Sequence, residues 1–248
     1  MTAAFLFLAG LLVGSFLTVV AHRVPRGESV VGGRSHCPAC GAQIAAYDNV
    51  PVVSWLLLRG RARCCGAAIS PRYPLTELTL GLLYAATGFA FHDDIPQLLL
   101  GLVFVSTLLA VTLTDLERRI IPNKILLVAA VLGVAIAAGG DPDSLAERAI
   151  AAAAAGGLLL AAALAYPRGM GLGDVKLAAT MGLFLGRDVA AAVLVALVVG
   201  SVVGLAMIAR EGAAARKRAI PFGPFLAFGG VVGLFAGDEM VDWYLGTF

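Results

Sequence analysis

Gln97-Leu-Leu-Leu-Gly-Leu-Val-Phe-Val-Ser-Thr-Leu-Leu-Ala-Val-Thr-Leu-Thr114 runs without a charged side chain until it meets Asp115. Wound as an α-helix, a stretch of this length covers about 27 Å, close to the ~30 Å hydrocarbon core of a bilayer. Blocks of the same kind recur on both sides of it, over 3–21, 75–91, 125–138, 149–166, 170–186, 189–209 and 222–237. Together with 97–114 they predict about eight transmembrane helices, several of them short for a full crossing. Composition agrees: 60% of the chain is hydrophobic and 14% charged, against roughly 45–50% and 25% in a soluble domain. The expected fold is therefore an all-α polytopic membrane protein. Gly156-Gly157 and Gly229-Gly230 suit helices whose backbones approach closely. A net charge of +2 gives no basic surface of the kind that binds nucleic acid.

The charges set the expected orientation. Of 18 Lys and Arg, all but Arg148 and Arg187 fall in four stretches. Arg23, Arg26, Arg34, Arg59, Arg61, Arg63 and Arg72 lie in 22–74, and Arg118, Arg119 and Lys124 in 115–124. Arg168 and Lys176 lie in 167–176, and Arg210, Arg216, Lys217 and Arg218 in 210–220. The positive-inside rule makes these four stretches cytoplasmic and puts both termini outside. The first apolar block has no basic residue before it and Arg23 and Arg26 just after it, the reverse of a cleaved signal, so it reads as an anchor. The expected domains are an anchor over 1–21, a small cytoplasmic cysteine-containing domain over 22–74, and a seven-helix membrane domain over 75–248.

Two acids sit where cytoplasmic loops meet spans: Asp115, and Asp174 in Gly171-Leu-Gly173-Asp174-Val-Lys176. Ionisable groups at that depth face a polar cavity or a partner. Two carboxyls converging from different helices can hold one proton between them, the arrangement that aspartic peptidases use on a peptide carbonyl. The competing reading is a pair of solvated helix ends, since an acid in a first turn is favoured by the helix dipole.

Local motifs bear on that choice. Asp115-Leu-Glu-Arg-Arg-Ile-Ile-Pro-Asn123 resembles the first catalytic motif of the type IV prepilin leader peptidase/N-methyltransferase family. Gly169-Met-Gly171-Leu-Gly173-Asp174-Val-Lys176-Leu resembles its second and carries the GxGD signature shared with presenilin-like proteases. Gly14-Ser-Phe, His22-Arg-Val-Pro25, Gly33-Arg-Ser-His-Cys-Pro-Ala-Cys40, Ile69-Ser-Pro-Arg-Tyr-Pro-Leu-Thr-Glu77 and Ile220-Pro-Phe-Gly-Pro-Phe-Leu226 match the family in order; Thr18 departs from its usual Asn. The resemblance implies a GxGD aspartic endopeptidase of the bacterial inner membrane with Asp115 and Asp174 as the catalytic pair. Its substrates would be type IV prepilins or type II secretion pseudopilins, cut after a Gly that ends a short basic leader, at the cytoplasmic face. It implies further an S-adenosylmethionine-dependent N-methylation of the new N-terminus, for which no glycine-rich nucleotide loop is visible. Lys176 and Asn123 are candidate supporting groups, although a Lys at that depth also snorkels to headgroups.

Within 22–74 the family carries two Cys-x-x-Cys pairs in a ribbon-like zinc domain. Cys37-Pro-Ala-Cys40 keeps the first, but Ala62 stands where the third cysteine belongs, followed by Cys64 and Cys65. The expected zinc site uses Cys37, Cys40 and Cys65, with Cys64 or His36 as fourth ligand. Thiols on the cytoplasmic side stay reduced, so no disulfide is expected. Two other functions fit the composition: a proton-coupled transporter using Asp115 and Asp174 as relay groups, and a membrane adaptor that binds a partner through 22–74.

Overall fold

The computed structural model describes residues 2–30, 32, 35–166, 170–212 and 220–247. Gly33, Arg34, Arg168, Gly169, Arg216, Lys217 and Arg218 lie outside the described residues. The helices are α1 (Thr2–Arg23), α2 (Val53–Leu57), α3 (Arg72–Ala90), α4 (Ile95–Arg118), α5 (Asn123–Gly140), α6 (Ser144–Ala165), α7 (Leu172–Leu185), α8 (Val189–Glu211) and α9 (Gly223–Gly246). Among the described residues there is no strand. The expected ribbon reduces to two isolated antiparallel bridges, His36 with Gln43 and Arg61 with Ala68.

Among the described residues, six helical runs are long and apolar enough to cross a membrane: Ala3–Arg26, Ile95–Arg118, Asn123–Gly140, Ser144–Ala165, Leu172–Glu211 and Gly223–Gly246. The chain is thus an all-α multi-pass membrane protein. The expected eight differ from these six at two places. Helix α3 falls short because Glu77 and three threonines lower its hydropathy; Thr76, Glu77 and Thr87 are buried. The run Leu172–Glu211 contains both α7 and α8, interrupted at Gly186, whose φ of 55° and ψ of −135° suit only glycine.

The chain forms two compact units, Met1–Asp93 and Asp94–Phe248. In the first, α1 and α3 are antiparallel and share a glycine seam. A Cβ at Gly14 would lie 2.8 Å from Glu77 Cα, one at Gly10 2.7 Å from the Leu80 carbonyl, and one at Gly88 would run into the Leu6 side chain. Small residues of this kind let helix backbones approach where lipid supplies no hydrophobic drive for association.

In the second unit the same device pairs α6 with α7, where Gly182 meets the Ala152 backbone, and α8 with α9, where Gly229 meets the Ala192 carbonyl. The register shows which ends lie together. Gly237 faces Asp188 and Gly200 faces Phe222, so α8 runs antiparallel to α9. Gly230 faces Leu108 and Gly223 faces Asp115, so α9 runs antiparallel to α4. Phe184 near the end of α7 stacks on Phe104 in the first half of α4, at 5.1 Å between ring centroids. Helices α7 and α8 therefore run in opposite directions and the chain reverses at Gly186.

The C-termini of α4 and α8 and the N-termini of α5, α7 and α9 consequently gather at one end of this unit. Arg148 and Arg187, the two basic residues outside the four basic stretches, belong to the other end. Arg148 donates to the Leu183 and Phe184 carbonyls at 3.2 and 2.6 Å, capping α7. Arg187 pairs with Asp238, and with Asp242 at 3.2 Å.

Candidate active site

Helix α4 opens on a cap in which the Asp94 side chain accepts the Gln97 N–H at 2.9 Å. It closes on Arg119, held at φ 55° with its N–H bonded to the Asp115 carbonyl at 2.8 Å. A left-handed C-cap is usually glycine; here it turns the chain sharply so that Ile120-Ile121-Pro122 leads into α5. Pro122 cannot extend a helix backwards and fixes the start of α5 at Asn123. Asp115 thus sits in the last turn of α4, and Asp174 in the first turn of α7.

Both carboxyls are buried, at 5% and 8% exposure, and both line one cleft of about 300 Å³. Arg119, Ile121, Asn123, Gly171, Gly173 and Lys176 share its walls. Each carboxylate is held by one backbone donor. Gly171 N–H donates to Asp174 Oδ2 at 3.1 Å, and Gly223 N–H, from the start of α9, donates to Asp115 Oδ2 at 2.9 Å. Lys176 Nζ donates to Asn123 Oδ1 at 3.0 Å, tying the second turn of α7 to the start of α5. The two glycines that flank this pair of acids are explained by close approach. A Cβ at Gly173 would lie 3.1 Å from Ile121 Cβ, and one at Gly223 would lie 2.7 Å from Asp115 Oδ2.

Gly223 is the residue of this site that residue-by-residue reading does not single out, although its Pro221-Phe-Gly-Pro224 setting is visible. Gly223→Ala should push the Asp115 carboxylate aside, because the added methyl overlaps it. Displacements of about 1 Å cost up to 10²-fold in rate, so at least a tenfold fall in any reaction run by these two acids is expected with normal membrane insertion. Gly230→Ala, whose Cβ would first meet the side-chain ends of Leu108 and Phe104 and not a carboxylate, is the control on the same helix. Equal activity of Gly223→Ala and wild type would remove this contact from the site.

The cysteines form a second constellation, in the first unit. The Sγ atoms of Cys37, Cys40, Cys64 and Cys65 all lie within 4.8 Å of one another. Three separations are 3.7 Å (Cys37–Cys65), 3.3 Å (Cys40–Cys64) and 3.9 Å (Cys64–Cys65). A tetrahedron of thiolates at Zn–S distances of ~2.3 Å has edges of about 3.8 Å, so the four sulfurs fit such an ion. His36 is not part of this cluster.

The backbone shows why adjacent cysteines can both take part. Cys37 N–H bonds the Ala42 carbonyl and Gly41 N–H the Cys37 carbonyl, both at 2.8 Å. Ala62 N–H bonds Ala67 and Gly66 N–H bonds Ala62 in the same way and at the same distance. Gly41 and Gly66 share a φ of 71°. The two loops are copies, with Ala62 in the place of Cys37 and Cys64 in the place of Ala39. The missing sulfur is supplied from a neighbouring position of the same loop.

Backbone N–H groups of Cys40 and then Ala39 aimed at the Cys37 sulfur lower that thiol to about 6. The hydrogen bond shared with Cys40, and then desolvation, push the Cys64 thiol up to about 12. Four thiols crowded together resist full ionisation, and a bound divalent cation relieves that conflict.

Residues 8–91 match the family model described as the bacterial peptidase A24 N-terminal domain, and residues 102–208 the type IV leader peptidase family. A prepilin leader peptidase/N-methyltransferase of Bacillus subtilis (strain 168) is 34% identical over 241 residues, covering 97% of this chain and 96% of that protein. One of Stutzerimonas stutzeri is 37% identical over 267 residues, covering 95% and 91%. One of Myxococcus xanthus (strain DK1622) is 40% identical over 218 residues; the match covers 86% of this chain and 65% of that longer protein. No solved structure matches the chain. A near end-to-end match to the Bacillus protein, with one family model over α1–α3 and the other from within α4 to within α8, shows that this chain belongs to the type IV leader peptidase family.

Proposed function

We propose that this protein is a prepilin peptidase of the bacterial cytoplasmic membrane. It removes the basic leader of type IV prepilins or pseudopilins at the cytoplasmic face, with Asp115 and Asp174 as its catalytic carboxyls. The observation that carries the reading is the shared cleft: two buried acids from different helices, each held by a single backbone N–H, at one end of the membrane unit. Two carboxylates so placed hold one proton between them, because both cannot ionise cheaply. The ionised one takes a proton from water as that water attacks the scissile carbonyl. The protonated one donates to the carbonyl oxygen, and the proton gained by the first returns to the leaving amine. The Lys176–Asn123 pair keeps the loop after Asp115 and the helix bearing Asp174 in register. Both acids lie within a turn of a helix end, a poor position for a proton relay across the bilayer.

The names of the relatives support a second activity, methylation of the new N-terminus. S-adenosylmethionine would be the methyl donor for that reaction. The four cysteines would hold one structural zinc, since all four positions are protein thiols and none is left for a reacting water. The remaining partners are the prepilins themselves and membrane lipid.

Two measurements test the reading. Co-expression with a prepilin should convert it to a shorter form, and an unchanged prepilin would count against a peptidase. Reporters fused within 24–71 or after residue 211 should register inside, and one after residue 140 outside. An inside signal at 140 would reverse the topology and take the cleft away from the leader.

A further inference from the structure

The segment that enters α2 is unusual in three respects. Val52 has φ 61°, a conformation in which a β-branched residue is a genuine outlier. Its N–H donates at 2.7 Å to Oε2 of Glu77, and Glu77 is itself 7% exposed. Around this latch the apolar side chains point outward. Val50, Val53, Leu56 and Leu57 are between 45% and 77% exposed, while the small polar Ser54 is buried and donates to the Tyr47 carbonyl at 2.8 Å. In a domain bathed by water this polarity is inverted.

The depth of the latch supplies the reason. Gly14 of α1 packs on Glu77 Cα, so the two lie at one level. Gly14 is nine residues before Arg23, or about 13 Å of helix, and Glu77 is five residues past Arg72, or about 7 Å. Helix α1 is one of the runs long and apolar enough to cross a membrane, with Arg23 at its basic end. Glu77, and with it Val52, therefore lies on the bilayer side of both basic residues. The exposed Arg59 and Arg61 follow directly after α2 and suit anionic headgroups. Trp55, half-buried on Gly60 with its indole N–H on the Ile69 carbonyl at 3.0 Å, is of the residue type enriched at membrane interfaces.

We propose that residues 50–57 form an in-plane membrane anchor. It seats Val53, Leu56 and Leu57 in the headgroup–acyl boundary of the leaflet at the Arg23 end of α1, and the Val52–Glu77 bond fixes its depth. Short amphipathic elements bind a bilayer by burying an apolar face about 5–10 Å below the headgroups, a range that includes the ~7 Å from Glu77 to Arg72, while the ~13 Å to Arg23 lies somewhat beyond it. The cysteine loops that flank α2 are thereby held against the membrane surface instead of hanging from a tether. None of this depends on the peptidase reading.

Trp243→Phe leaves Trp55 as the single tryptophan of the two. The full-length protein would be reconstituted in phosphatidylcholine–phosphatidylglycerol vesicles, with and without bromine on the upper acyl carbons. The expected result is loss of more than half of the Trp55 emission in brominated lipid. Adding Leu56→Glu and Leu57→Glu should restore most of that emission with helical circular dichroism unchanged. Full Trp55 emission in brominated lipid, with ready quenching by acrylamide in the water, would overturn the proposal. So would an acrylamide-accessible Trp55 shielded only when a prepilin peptide is added, because the apolar face would then be a substrate-docking surface. The tryptophan arm decides even if the double glutamate variant fails to fold.

Discussion

Asp115→Asn and Asp174→Asn should each lower leader cleavage by about 10²–10⁴-fold, the usual cost of losing one general acid–base group. Asn is nearly isosteric with Asp, and its carbonyl oxygen can accept the same backbone N–H, from Gly223 at position 115 and from Gly171 at 174. Expression and insertion should therefore stay near those of wild type, and the loss reports on chemistry. Under the proposed sharing of one proton the two acids act as a unit, and the double variant should be scarcely worse than either single one. The check is initial cleavage rate on one prepilin at matched enzyme concentration. Retention of more than about a hundredth of the rate by either single variant would exclude that residue from the pair.

The second large effect concerns the cysteines. Wild-type protein should carry one zinc per chain, and Cys37→Ser should lose it. Structural zinc in small peptides contributes about 10–16 kcal/mol of apparent binding energy, and a domain of this size has little core with which to compensate. Residues 22–74 should then become protease-sensitive while the helices stay inserted. Cys64→Ser should also weaken binding strongly. Restoring the symmetric loop by adding Ala62→Cys to Cys64→Ser should recover it, since Ala62 holds the backbone position of Cys37 in the second loop. Metal analysis with limited proteolysis reads both effects. Wild-type zinc content in Cys64→Ser would show that Cys64 is not a ligand.

How much of this was readable beforehand depends on the range of the interaction. Charge-free blocks such as 97–114 are local, and each predicted block falls on a helix of the structure. Their limits were less legible: Met170 and Gly171 were expected inside a span, but α7 begins at Leu172, so that the Gly171 N–H turns to the Asp174 side chain. Hydropathy alone also merges α7 with α8. The reversal follows from which helix each one packs on, and that pairing is long-range.

At the site, Asp115 and Asp174 were singled out by depth, charge and motif. Gly223 was not, because its role is a backbone N–H offered 108 residues from the acid it holds. The choice between Cys64 and His36 could not be made from spacing, because adjacent cysteines look unsuitable for one ion. The duplicated loop geometry around Gly41 and Gly66 shows Cys64 turned toward the other sulfurs, and His36 takes no part in their cluster.

The measurement closest to the central claim is the identity of the bond cut. Purified protein in lipid would be incubated with a peptide spanning the leader and the start of the mature segment of a prepilin, and the products weighed by mass spectrometry. The account predicts a single cleavage after the Gly that ends the basic leader, present with wild type and absent with Asp115→Asn and Asp174→Asn. Cleavage at that bond by both Asn variants, or an intact peptide with folded wild-type protein, would contradict it.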